Sequence, residues 1–235
     1  MNYLKIEGKI ALVTGGAQGI GESVVRALTE SGAIVAVLDH NAAKLSSLAN
    51  ELKAEGYNVE AFSVDVSDNK AVDTVVDLIE RDIGPIEILV NVAGVLHMGL
   101  IESLSDQDWE KIFAVNSTGV FNVSRSVSKY MIPRQKGSIV TVGSNAAKVP
   151  RISMAAYAAS KAASTMFTKC LGLEMAQYNI RCNIVSPGST DTEMQWSLWK
   201  DGNGAPAVIA GTLEAFKVGI PLKKIAMPSK IDPIK

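Results

Sequence analysis

Short apolar runs alternate with longer amphipathic stretches along this chain, and that alternation restricts the fold more than anything else in it. The runs are Ile10 to Thr14, Ile34 to Asp39, Val59 to Ser63, Ile86 to Asn91, Ser138 to Val142 and Arg181 to Ser186. Between them lie Gly19 to Ser31, Ala42 to Glu55, Asn69 to Ile83, Asp106 to Met131 and Ala155 to Ala176, each with helical periodicity. A strand that is apolar on both faces needs cover on both sides, and a helix after each strand supplies it. The pattern predicts a doubly wound α/β domain built on a parallel sheet. With no linker, repeat or low-complexity tract, residues 1–235 read as one domain.

Composition excludes several classes of function. Hydrophobic residues make up 47% and charged residues 20%, with a net charge of −1, so a basic nucleic-acid-binding surface is not expected. No apolar run approaches the ~18 residues of a membrane span, and Met1 to Glu7 lacks the apolar core of a signal peptide, so the expected location is the cytoplasm. Cys170 and Cys182 lack metal-ligand spacing and read as buried, reduced thiols; with only His40 and His97 beside them, no metal site is expected.

Ligands of doubly wound sheets bind at the carboxyl ends of the strands, so the residues just past each strand carry the chemistry. After the first strand comes Thr14-Gly15-Gly16-Ala17-Gln18-Gly19-Ile20-Gly21, opening a helix. Glycines let the backbone turn tightly against a pyrophosphate, and the helix N-terminus favours its charge. The Gly-x-x-x-Gly-x-Gly spacing meets the general dinucleotide fingerprint only loosely, and a plain glycine-rich turn is the alternative. Asp39 ends the second strand, where a carboxylate accepts both hydroxyls of an adenosine ribose and repels a 2′-phosphate. Gln18 adds no compensating cation, so NAD is expected over NADP; a turn or helix-capping role is the other reading of Asp39.

Tyr157-Ala-Ala-Ser-Lys161 places a phenol and an ammonium on one face of a helix, with Ser144 thirteen residues upstream. A free phenol, with a pKa near ~10, is a poor base at neutral pH, and a nearby cation favours the phenolate. In isolation the spacing arises by chance on many helices, Ser144 reads equally as a turn cap, and Asn116 as a buried, satisfied amide. One pocket shared by all four is the simpler account.

Thr14-Gly15-x-x-x-Gly19-x-Gly21, Asp65-Val66, Asn91-Val92-Ala93-Gly94, Asn116, Ser144, Tyr157-x-x-x-Lys161 and Pro187-Gly188 together resemble, in order and spacing, the motifs of the short-chain dehydrogenases/reductases, from about Gly8 to Pro228. The resemblance implies an NAD-dependent oxidoreductase on a Rossmann-like sheet with strand order 3-2-1-4-5-6. In it Tyr157 is the acid/base, Lys161 lowers the tyrosine pKa and binds the nicotinamide ribose, and Ser144 steadies the reacting oxygen. Asn116 kinks its helix and holds a water that links Lys161 to solvent. Gly15, Gln18, Gly19, Ile20, Gly21 and Asp39 hold the adenosine and pyrophosphate end, and Asp65 and Val66 receive the adenine. Asn91, Ala93, Gly94, Pro187, Gly188 and Thr192 line the ribose and nicotinamide region. Val92, where the family often has a second asparagine, is assigned no function.

The segment Arg181 to Gln195, followed by Leu198-Trp199, is similar to one subgroup, which oxidises a dihydroxycyclohexadiene carboxylate in catecholate siderophore synthesis. Arg151, between Ser144 and Tyr157, suits a planar carboxylate. Met154, Met194, Gln195, Trp196 and Trp199 are candidates to sandwich a flat ring, and His97 is a further polar candidate. Surface or packing roles remain the alternative for each. The rival functions are another oxidoreductase on the same scaffold, such as a 3-oxoacyl reductase or secondary alcohol dehydrogenase, and an idle cofactor-sensing protein. The resemblance also implies a homotetramer, and a helix, seventh strand and glycine-rich end beyond Pro228. Those elements have no counterpart in Ile231 to Lys235, so lower stability and weaker assembly are expected.

Overall fold

The computed structural model describes residues 6–199, 204–213 and 217–231. Six parallel strands form the sheet: β1 (Ile10–Thr14), β2 (Ile34–Asp39), β3 (Val59–Ser63), β4 (Ile86–Asn91), β5 (Gly137–Val142) and β6 (Ile180–Val185), in the order 3-2-1-4-5-6. Each expected strand is present to within one residue at either end. The order reverses between β1 and β4, which pair from Ile10 with Ile86 to Thr14 with Asn91. That reversal opens a crevice at the carboxyl edge.

Two layers of helix cover the sheet. Ala11, Val13, Val35 and Val37 face α1 (Gly19–Glu30) and α2 (Ala42–Ala54), packing on Val24, Val25, Leu28, Leu45 and Leu48. Ile10, Leu12, Ala36 and Leu38 point the other way, toward α3 (Asn69–Asp82) and helices that follow it in the chain. Alternate residues of one strand thus feed two cores, as its unbroken apolar sequence requires. Local caps set the helix starts: Asn41 accepts from Lys44 N, and Asp68 accepts from Lys70 N and Ala71 N.

The stretch Asp106 to Met131, read as one helix, is three pieces: α4 (Asp106–Phe113), a π-helical turn over Ala114–Gly119, and α5 (Val120–Arg134). Inside the turn, the Asn116 amide bonds the Val95 backbone in both directions and also Ser160, which draws one residue out of helical register. After β5, α6 (Ala155–Met175) carries Tyr157 and Lys161.

Beyond β6 come the short helices α7 (Glu193–Trp196) and α8 (Gly204–Ala210) and an antiparallel pair, β7 (Gly211–Thr212) and β8 (Lys217–Val218), separate from the main sheet. The segment near Ala226 returns to bridge Thr190. The thiols depart from expectation. Cys170 lies on the exposed side of α6, and Cys182 is half-buried on the edge strand β6, where burial pushes its pKa up to about 11. Among the described residues no helix is long and apolar enough to cross a membrane, and no cluster of metal-ligating side chains occurs.

Candidate active site

A cleft of about 480 Å³ runs along the carboxyl edge of the sheet, from the β3 end to the segment after β6. Its floor is the glycine loop. Gly15 and Gly19 adopt left-handed backbone, φ +63° and +59°. A Cβ on Gly15 would stand 2.6 Å from Ala93 Cα, and one on Gly21 would land on the Gly15 carbonyl oxygen. Neighbouring segments clamp the loop. Thr14 Oγ1 accepts from Val92 N (3.1 Å) and Ala93 N (3.2 Å), and Asp39 Oδ2 accepts from Ala17 N at 3.1 Å. The other Asp39 oxygen accepts from Asn41 N, so this buried carboxylate also has the turn-capping role.

Of the residues assigned to a cofactor from sequence, Gly15, Gln18, Gly19, Ile20, Gly21, Asp39, Asp65, Val66, Ala93, Gly94, Tyr157, Lys161, Pro187, Gly188 and Thr192 line this cleft. Asn91 does not. It is buried beneath the floor, its amide donating to Ser124 Oγ at 3.0 Å, because the last residue of β4 points into the helix layer. Val92, assigned no function, lines the cleft in its place. Asp65 is held ionised below the usual carboxylate range, chiefly by the Ser67 hydroxyl.

At the other end Ser144, Tyr157 and Lys161 converge. Ser144 Oγ caps the short turn Asn145–Ala147, accepting from Ala146 N at 3.1 Å, which leaves its own proton free to donate. Lys161 is fully buried, donates to the Val142 carbonyl at 3.0 Å, and has its pKa lowered to about 8 by that burial. Its nitrogen is 6.0 Å from the centre of the Tyr157 ring. Burial raises the Tyr157 pKa, while the Ser144 hydroxyl and the Arg151 charge pull it down. In the free protein Arg151, brought in by the folded loop, thus adds a second cation near the phenol besides Lys161 on the same helix. Asn116 stands behind this group as a fully bonded amide, and a Cβ on Gly94 would lie 3.3 Å from both Asn116 Oδ1 and Lys161 Nζ.

The substrate candidates divide. Arg151, Met154, Met194 and Gln195 line the cleft beside Tyr157. His97 does not; it is exposed, 3.6 Å from Asp108 Oδ2. Trp199 packs over Gly204 and lies outside the lining, because the short α7 ends before it. Trp196 is turned outward, its indole N–H bonded to Asp191 at 2.6 Å.

This layout recurs in known proteins. A model of the short chain dehydrogenase family matches residues 9–203. The chain belongs to that family. Among short chain dehydrogenases it is 68% identical over 231 residues, 98% of its length and 88% of the relative's, to a 2,3-dihydro-2,3-dihydroxybenzoate dehydrogenase of Bacillus subtilis (strain 168). It is 40% identical to the Escherichia coli (strain K12) protein of the same name, covering 97% of this chain and 88% of that one. A solved gluconate 5-dehydrogenase from Burkholderia cenocepacia J2315, in complex with NADP and tartrate, superposes with a TM-score of 0.87 at 32% identity, over 96% of this chain and 85% of the other.

Two contributors carry no motif that reading could have singled out. Lys44 Nζ donates to Gln18 Oε1 (2.7 Å) and to both Glu193 oxygens (2.8 and 2.6 Å), tying α2, the glycine loop and α7 across the cleft mouth. Asn145 bonds Arg151 at 3.0 Å. Both contacts depend on tertiary placement, so spacing along the chain gives no sign of them.

Proposed function

We propose that this dehydrogenase oxidises 2,3-dihydro-2,3-dihydroxybenzoate to 2,3-dihydroxybenzoate with NAD, the step that completes the catechol of catecholate siderophores. The observation that carries the reading is the Arg151 guanidinium in the cleft beside Tyr157, in a chain 68% identical to a relative of that name. An arginine there pairs with the ring carboxylate and places a ring hydroxyl at the phenol.

The cleft fits the cofactor: a glycine cradle that a Cβ would fill, and a buried carboxylate at the end of β2. Bound NAD supplies the hydride acceptor. Tyr157, as phenolate, takes the proton of the ring hydroxyl while the hydrogen on the same carbon leaves as hydride, so the C–O bond becomes a carbonyl. Ser144 donates its free proton to that oxygen. Lys161, with a pKa of about 8, exchanges protons near neutral pH and suits the return of the proton to solvent through the Asn116 region. The ketone then tautomerises, its sp³ neighbour losing a proton as the carbonyl oxygen gains one, and the aromatic catechol that results draws the reaction toward oxidation. Met154 and Gln195 border the ring.

The decisive experiment incubates purified protein with NAD and the dihydrodiol acid and follows NADH at 340 nm; parallel runs use NADPH with a ketoacyl thioester or 5-ketogluconate. NADH formation only with the dihydrodiol acid is expected, and turnover confined to a keto substrate sinks the proposal. A cytoplasmic location accords with the free thiols. Exposed Trp109, Phe121, Met166 and Leu173 on α4 to α6 favour a homo-oligomer, with a tetramer expected from light scattering.

Asp39 argues for NAD although the Burkholderia relative was solved with NADP. Asp39→Ala is expected to weaken NAD about ten- to a hundredfold, since it removes ribose contacts and the Ala17 clamp, and to narrow the preference over NADP. Affinities by NADH and NADPH fluorescence titration check it, and an unchanged ratio places discrimination elsewhere. The Lys44–Glu193 pair is exposed, so its contribution is small, about 1 kcal/mol or less. Lys44→Met is expected to speed NADH release about fivefold at most, with the difference gone at 1 M salt where screening is short-ranged. Stopped-flow displacement measures it.

A further inference from the structure

Arg151 is half-buried, and a free arginine side chain carries about 2 kcal/mol of rotamer entropy, so its aim must be set by something. The structure supplies one side-chain partner among the described residues. Nη1 of Arg151 donates to Asn145 Oδ1 at 3.0 Å. Asn145 is itself fixed: its backbone N–H donates to the Pro187 carbonyl at 3.0 Å, and its own carbonyl accepts from Lys148 N and Val149 N at 3.1 and 3.0 Å. Through Pro187 it is tied to the end of β6, and as the residue after Ser144 it belongs to the turn that carries the reacting-oxygen donor. The contact therefore holds Arg151 in a fixed relation to Ser144 and Tyr157.

One guanidinium has five N–H donors in a rigid fork. Asn145 uses one and leaves the others for an anion. The nearby Lys148 is exposed and outside the cleft lining, and Lys161, anchored by one N–H on the Val142 carbonyl, serves the proton path, so Arg151 is the cation left for a carboxylate at this end.

We propose that Asn145 is a positioning residue for anionic substrates: its amide oxygen aims Arg151 at the carboxylate, so the preference for a carboxylated ring over a neutral one depends on it. The inference rests on the proposed function only in taking Arg151 as the anion-binding group. Without the acceptor, Arg151 still has its charge but samples other rotamers, and the fork is no longer formed before the ligand arrives.

The test measures a ratio of affinities in the enzyme–NADH complex, using fluorescence titration with 2,3-dihydroxybenzoate and with catechol. The wild-type protein is expected to favour the acid. Asn145→Ala should cut that preference about tenfold, with catechol affinity changed less than twofold. Asn145→Gln, which moves the amide by one methylene, should behave like Ala, and Asn145→Asp, which keeps an acceptor but sets an anion beside the carboxylate site, should lower the preference at least as far. Adding Asn145→Ala to Arg151→Ala should lower the ratio no further. In turnover the loss should fall on KM for the acid and spare kcat.

The inference is overturned if the wild type shows no preference, if Ala and Gln leave the ratio unchanged, or if the Asn145 and Arg151 effects multiply. If Asn145→Ala fails to fold, Asn145→Gln decides. Should the ratios follow this pattern while the dihydrodiol acid gives no NADH, the proposed function falls and the positioning role stands.

Discussion

Tyr157→Phe is expected to reduce kcat for oxidation by about 10² to 10⁴-fold, the usual contribution of a positioned acid/base, while NADH affinity changes little. The substitution removes one oxygen and keeps a ring that is buried among Ala146, Met154, Leu96 and Met98, so the fold has no reason to change. The pH dependence gives a second signature. Burial raises the phenol pKa above its ordinary value in the free protein, and only the ionised form accepts a proton. In the wild type kcat/KM should therefore rise with pH through the neutral range. In the Phe variant that rise should disappear. A variant that keeps wild-type turnover, or that keeps the same pH limb, would move the base to another residue. Ser144→Ala should cost less, since it loses a donor to the oxygen and leaves the base in place.

How much of this was legible in the chain follows from which interactions are local. The strands were readable because both faces of each are covered, so their apolar character is continuous; the sheet order came from the family resemblance, since alternation with helices allows more than one. The cleft lining was readable where backbone geometry demands a residue type, as at Gly15, Gly19 and Gly21, or where helical spacing pairs two side chains, as at Tyr157 and Lys161. The break at Asn116 was expected as a kink, but its π-helical form depends on Val95 and Ser160, partners far away along the chain. Asn91, His97 and Trp199 failed as cleft residues for a related reason. Position after a strand or in a loop says that a residue is near the crevice, and the direction of its side chain is decided by packing. Cys170 shows the same limit on a helix, where an apolar neighbourhood in sequence includes an exposed face. The electrostatics of Tyr157 were least accessible: helical spacing pointed to Lys161, and the further charge of Arg151 reaches the phenol only through the folded loop.

Gly21→Ala is expected to destroy cofactor binding while only weakening the fold. Gly21 lies in the first turn of α1, buried under the loop it follows, and a Cβ there would collide with the Gly15 carbonyl and stand 2.9 Å from Gly16 Cα. Both neighbours are backbone, so no side chain can rotate away. The loop must lift from α1, and lifting it breaks the Gly16 N–H contact to the Leu38 carbonyl and the Ala17 N–H contact to Asp39. Overpacking of this kind costs about 1 to 3 kcal/mol, which for a chain of this size lowers Tm by roughly 2 to 12 °C. The effect on cofactor is larger, because the glycine loop and the start of α1, which together would cradle the pyrophosphate, no longer sit in register; NADH affinity should fall at least about a hundredfold. Gly56→Ala provides the control. Gly56 has φ +89° with nothing within 4 Å of a Cβ, so the substitution brings backbone strain of about 1 to 2 kcal/mol and no collision, outside the cleft lining. A comparable loss of Tm in both variants, with NADH affinity lost only in Gly21→Ala, separates the cradle from general destabilisation. Wild-type NADH affinity in Gly21→Ala would show that the loop does not hold the pyrophosphate.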